Sequence, residues 1–265
     1  MGIFDFLKGK SNPPPGGNGK APAAPMDRKT AGFAKVARDK HAQQYDRSEA
    51  LHALADMKTA DAAAGLLPRF RFSIDPSIHD SDEKDIAFAG LVAAGKEAVP
   101  AIVEYCEQAE GKGWPLTWPI KVLREVLDDD EYRAELIDLL GGFDTEYARN
   151  TDPKLQLVLA LEELKHEEVR VAVEPFLEDV NETVRFHAVE TIFRQSDTRS
   201  LAPLLHLLKT EESVRVKNKV ADGLVLRGWV VPEDERKDVT RALSDTSGFR
   251  LTGEGKLEKL EVEEY

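Results

Sequence analysis

Six histidines (His41, His52, His79, His166, His187 and His206) and a single cysteine, Cys106, are the side chains of this 265-residue sequence best suited to ligate a metal or move a proton near neutral pH. Their spacing does not favour either task. The sequence holds no H-x-x-x-H pair and no Cys-His ligand pattern of the kind a zinc site uses. His187 and His206 could meet across a helix pair, although neighbouring core or surface histidines are the default reading. Cys106 has no histidine near it in sequence and shares an apolar stripe with Val99, Ile102 and Val103, so it reads as a small buried hydrophobe rather than a nucleophile. The densest run of ligand-type residues is Asp75, His79, Asp80, Asp82, Glu83 and Asp85. A hard cation such as calcium would want several converging oxygens, but the EF-hand spacing with its central Gly and terminal Glu is missing, and capping of the next helix by Asp80, Ser81 or Asp82 is the preferred explanation. Gly16-Gly17-Asn18-Gly19-Lys20 lacks the spacing and flanking elements of a phosphate loop. No nucleophile elbow, zincin motif, dinucleotide fingerprint or Walker loop occurs. The expectation is a protein with no catalytic residue, no metal and no cofactor.

The elements that must carry these side chains are helices, and from Asp152 to Leu243 they repeat. A shift of 28 residues lays Pro175-Phe176-Leu177 on Pro203-Leu204-Leu205, and Ala160, Leu161 and Leu164 on Ala188, Val189 and Ile192. Val184-Arg185 recurs 30 positions on as Val214-Arg215, and Pro203 recurs 29 on as Pro232. A fixed period near thirty with helical patterning is the mark of a stacked array in which each unit buries its apolar face against its neighbours. Asp179 and Asn181 can cap a helix start, Val184, Ala188 and Ile192 form one apolar stripe, and a proline early in the second helix falls where no helical N–H is needed.

The run from Asp179 to Ile192, an acidic turn followed by Val-Arg and then Ala-Val and Ile at helical spacing, resembles a HEAT repeat of the short bacterial, phycobilisome-lyase-like type. The resemblance covers Asp152 to Leu243 best and extends back to about Asp46. It implies an all-α fold, an α-solenoid of about six HEAT-like helix pairs. It also implies an inter-repeat ladder in which Arg185 and Arg215 meet an acid, with Asp179 the obvious candidate. The preceding unit departs from the pattern, with Leu157 where the arginine should stand.

The remaining chain is read around that array. Residues 1–10 are a short apolar and basic segment in which Ile3, Phe4, Phe6 and Leu7 would share one helical face, a candidate for docking on a partner groove or, weakly, on a membrane surface. Folding back onto the chain's own body is the alternative. Residues 11–26, rich in Pro, Gly and Ala, read as a flexible linker, residues 27–248 as the solenoid, and residues 249–265 as a hairpin cap with an acidic tail. Phe70 to Ile74 alternates like a short extended piece. Trp114 and Trp118, each followed by proline, are either a partner-docking hot spot or a plug between repeats, the plug being preferred.

The formal net charge of −13 divides unevenly: nine Lys/Arg against four Asp/Glu in residues 1–47 give +5 and leave −18 for the rest. An acidic body repels phosphate backbones and argues against general nucleic-acid binding. One cysteine, no uninterrupted apolar run of membrane-spanning length and no secretory leader fit a soluble cytoplasmic protein. The expected role is a non-catalytic scaffold or adaptor that binds a protein partner along a curved face. Two enzymatic classes implied by the resemblance, a bilin lyase or isomerase and a HEAT-type DNA glycosylase, are the alternatives.

Overall fold

The computed structural model describes residues 26–244, 246 and 248–260. The fold is all-α with a small C-terminal hairpin. In chain order the α-helices are α1 (Arg28–Ala37), α2 (Gln44–Met57), α3 (Ala60–Leu66), α4 (Ser77–Ala94), α5 (Val99–Lys112), α6 (Thr117–Val126), α7 (Asp129–Gly141), α8 (Asp152–Glu162), α9 (Glu167–Val173), α10 (Glu182–Gln195), α11 (Leu201–Thr210), α12 (Val214–Arg227) and α13 (Arg236–Leu243). Strands β1 (Phe249–Leu251) and β2 (Leu257–Lys259) come after them.

Local chemistry sets the ends of these helices. Asp27, Thr59, Asn181 and Ser213 each accept a hydrogen bond from a first-turn N–H, and Asp128 with Glu131 closes a reciprocal capping box on α7. Pro100 and Pro153 lie in the first turn of α5 and α8, where a missing N–H costs nothing. Val184, Ala188 and Ile192 are fully buried, and so is Leu157, which explains why that position is apolar.

Packing obeys an alternating rule. The even-numbered helices touch in succession, α2 with α4, α4 with α6, and so on to α12. The odd-numbered helices do the same from α1 to α13, with α11 meeting the 3-10 turn that ends α9. The two sets face each other across a continuous apolar interior. The hairpin lies at one end, β2 on α12 and β1 on α13, with Phe249 and Leu257 buried. Its strands are antiparallel with Arg250 opposite Glu258, and Val231 N–H donates to Gly255 O at 2.7 Å.

Three boundaries differ from expectation. Phe70 is not extended but lies in a 3-10 turn, Leu67–Arg71, with its ring buried. Helix α4 begins at Ser77, ahead of the residues expected to cap it. Asp80 serves tertiary structure instead: its carboxylate accepts from Arg69, Lys84 and the Ile74 N–H. Pro232 precedes a 3-10 turn, so the last α-helix starts only at Arg236.

Among the described residues, Ser77–Ala109 is long and apolar enough by length and composition to cross a membrane. The charged pair Lys96-Glu97 hides this from a search for unbroken apolar runs. Gly95, at φ 60°, separates α4 from α5, and Ala87, Leu91, Ala98 and Ile102 are buried in the protein. The segment is a borderline case and not a clear membrane span.

Candidate functional site

A cleft of about 900 Å³ opens along α9, α11 and the turns that precede α8, α10 and α12. Along its edge two ion pairs join successive turns. In the first turn of α10, Arg185 donates Nε and Nη2 to the two carboxylate oxygens of Glu211, at 2.6 and 2.7 Å. Its Nη1 reaches back to the carbonyls of Asp179 and Val180. Glu211 also accepts the N–H of Ser213, the residue that caps α12. Burial alone would raise the pKa of Glu211, but the bonds from Arg185 and from the Ser213 N–H hold it below the usual carboxylate value.

One unit earlier the same device is built from different residues. Lys154, in the first turn of α8, donates to Asp144 O at 2.9 Å and stands 2.5 Å from Asp179 Oδ2, both side chains being fully buried. Asp179 Oδ1 in turn accepts the N–H of Asn181, the residue that caps α10. A cation in one unit thus reaches an acid in the next turn, and that acid helps set the start of the next helix. The resemblance assigned Asp179 to the arginines. Instead its carboxylate takes Lys154, and Arg185 touches Asp179 only through the backbone. Arg215 lies elsewhere, 3.3 Å from Glu182 and with its guanidinium 3.8 Å above the Phe186 ring.

Within the cleft the charged groups are largely spent on one another. Buried Arg170 bonds Glu167, Glu174 and Ser200, and the hydrogen bond to Glu167 is the main reason its pKa rises. Exposed Val171 and Val180, with Pro175 and Pro203, give the walls apolar surface, while His206 stands 4.0 Å from Glu178.

His187 is not in the cleft and does not meet His206. On the even-numbered layer its Nδ1 lies 3.5 Å from Glu162 Oε2 and 3.3 Å from Glu190 Oε2, and these three groups could gather around a metal ion. The opposite oxygens of the two glutamates pair with Arg194 and Lys219, so the same groups also close a charge-balanced network joining α8, α10 and α12.

The other expected residues are dispersed. Trp118 stacks on Phe70 at 5.5 Å with its edge neighbour Phe88, and Trp114 packs on Tyr105 with the Arg71 guanidinium 3.4 Å above it. Both indoles are half-buried within the chain. Ile3, Phe4, Phe6 and Leu7, most of the linker and the acidic tail lie outside the described residues. Cys106 is buried, and burial pushes its thiol up to about 12. Sequence reasoning passed over Lys154, Glu211 and Glu162. Lys154 was findable, since it sits 31 positions before Arg185, close to the repeat period.

No protein-family model matches the chain, and no curated protein matches it.

Proposed function

We propose that the chain is a short solenoid of HEAT-like helix pairs and serves as a non-catalytic scaffold that receives a protein partner in the cleft along α9 and α11. The observation that carries this reading is the composition of that cleft. Its arginines and most of its acids are already paired, while exposed Val171 and Val180 and the prolines offer apolar contact beside polar rims. Such a surface suits the mixed chemistry of a polypeptide. The alternate stacking of odd and even helices supports the solenoid reading, as does the recurrence of the cation, the acid and the capped turn in successive units.

The test is affinity capture on the full chain, followed by titration of the captured partner in purified form. Val180 and His206 are exposed, so the double variant Val180→Asp, His206→Glu keeps the fold. A specific partner should bind the parent and lose at least roughly tenfold in affinity to the variant, the scale of one or two interface contacts. Equal binding by both, or no specific partner, would overturn the reading.

A further inference from the structure

On the even-numbered layer His187 of α10 faces two glutamates, Glu190 one turn along the same helix and Glu162 at the end of α8. Among the described residues this is the one place where three metal-ligating side chains converge, with a donor atom of each within 4.8 Å of the other two. His166 and His206, by contrast, each pair with a single acid, Glu168 and Glu178. The distances inside the group are long for an ion pair and right for a shared ion. His187 Nδ1 stands 3.3 Å from Glu190 Oε2 and 3.5 Å from Glu162 Oε2. A charge-assisted N–H···O bond would draw one of these contacts in to about 2.7–2.9 Å, and neither has closed. Two donors on one tetrahedral zinc, each about 2.0–2.2 Å from the metal, stand about 3.3–3.5 Å apart. The far side of each carboxylate is already held. Glu162 Oε1 pairs with Arg194 at 2.9 Å and Glu190 Oε1 pairs with Lys219, so each glutamate turns its Oε2 to the imidazole, as a monodentate ligand does. Glu162 is 8% exposed, and among the described residues its Oε2 has no hydrogen-bonding contact except the long one to His187. A buried carboxylate oxygen so weakly satisfied is well placed to receive a cation. Arg194 also reaches Glu163 at 3.6 Å, so its charge is not spent on Glu162 alone.

We propose that Glu162, His187 and Glu190 form a zinc site, with Glu162 Oε2, His187 Nδ1 and Glu190 Oε2 as ligands and a water as the fourth. One imidazole nitrogen and two carboxylate oxygens at tetrahedral spacing suit zinc, whereas calcium takes six or more oxygens. The histidine spacing in the sequence pointed to no metal because the third ligand comes from another helix. The bound ion joins α8 to α10 and, through the Glu190–Lys219 pair, braces α12. The site is separate from the cleft and does not depend on the partner-binding reading.

Titration of the full chain with zinc sulfate, after dialysis against a chelator, tests this directly. Zinc should bind with one equivalent per chain and raise the midpoint of thermal unfolding, because the unfolded chain does not assemble the three ligands. Cobalt(II) in its place should give the strong visible absorption of a four-coordinate ion rather than the faint bands of a six-coordinate one. His187→Gln and Glu190→Gln lie at partly exposed positions and should each weaken zinc binding at least roughly tenfold and abolish the cobalt band. His206→Gln should change neither. No zinc uptake by the parent chain, uptake unchanged in the first two variants or equally lost in His206→Gln, or a six-coordinate cobalt spectrum would overturn the proposal. The parent titration and the cobalt spectrum need no variant to fold. They also need no partner protein, so their failure and that of the capture experiment are distinguishable.

Discussion

The two halves of the molecule bury charge in different ways. In the first half one carboxylate oxygen of Glu83 accepts from both Arg47 Nε and Arg69 Nε, at 2.7 and 2.6 Å, and all three side chains are nearly or wholly buried. Glu83 comes from the body of α4 and ties that helix to α2 and to the turn at Leu67–Arg71. In the second half the two links between successive turns are one to one, Lys154 with Asp179 and Arg185 with Glu211, and each acid sits in a turn and also helps cap the next helix. Where the period is regular, a link of turn residues is enough and can be copied along the chain. Where the period breaks, a shared buried acid holds three dissimilar elements together.

The sharpest way to break this comparison is Glu83→Ala, which removes the carboxylate that two buried arginines share and leaves Arg69 with Asp80 and Arg47 with the Ala42 carbonyl. Urea unfolding should show a loss of about 3–5 kcal/mol, the range for stripping one partner from a buried pair. A loss equal to that of the second-half variants would remove the distinction. Next in size is Asp179→Ala, expected to cost about 2–3 kcal/mol because Lys154 keeps a carbonyl partner and only one junction is affected. Gly90→Ala tests packing in the first half: an added Cβ would sit 2.6 Å from Ala55 Cβ and 2.9 Å from its Cα. Backbone cannot rotate aside, so about 1–3 kcal/mol of overpacking is expected in the same assay.

A smaller effect is tied to pH. Burial raises the Cys106 thiol above its ordinary value to about 12, so the folded state holds that proton more tightly than the unfolded chain. Its contribution is complete below the ordinary thiol pKa and is lost as pH climbs from about 9 toward 12. Cys106→Ala should flatten that part of the stability–pH curve, and the native thiol should resist a disulfide reagent that labels the unfolded chain at once. The smallest effect belongs to Lys96→Ala, which removes an exposed pair with Glu131 and should change stability by less than about 0.5 kcal/mol.

Legibility in sequence divides along the same line. The period near thirty gave the second-half helices and their buried stripe, because Val184, Ala188 and Ile192 recur at helical spacing and only packing explains them. The terminal hairpin was legible from its alternation and turn glycines. The first-half turn was misread because Phe70 and Phe72 alternate locally, whereas burial of the Phe70 ring against Trp118 decides the backbone there. The ladder partners were half legible. A cation type every unit can be counted, but which acid it meets depends on side-chain reach between turns, and Glu211 looks like any other of the 49 acidic residues. The group around His187 left no mark at all, since Glu162 belongs to another helix.

The links at Lys154–Asp179 and Arg185–Glu211 lie beside the cleft, on the edge formed by the turns, and are more deeply buried than the ion pairs that join α8, α10 and α12 on the opposite layer. Spreading that edge requires separating opposite charges from low-dielectric surroundings at these two junctions, while the more exposed pairs of the opposite layer can exchange a partner for water. The stack should therefore behave like a book bound along one margin, yielding at its free side and keeping the geometry of its bound side fixed.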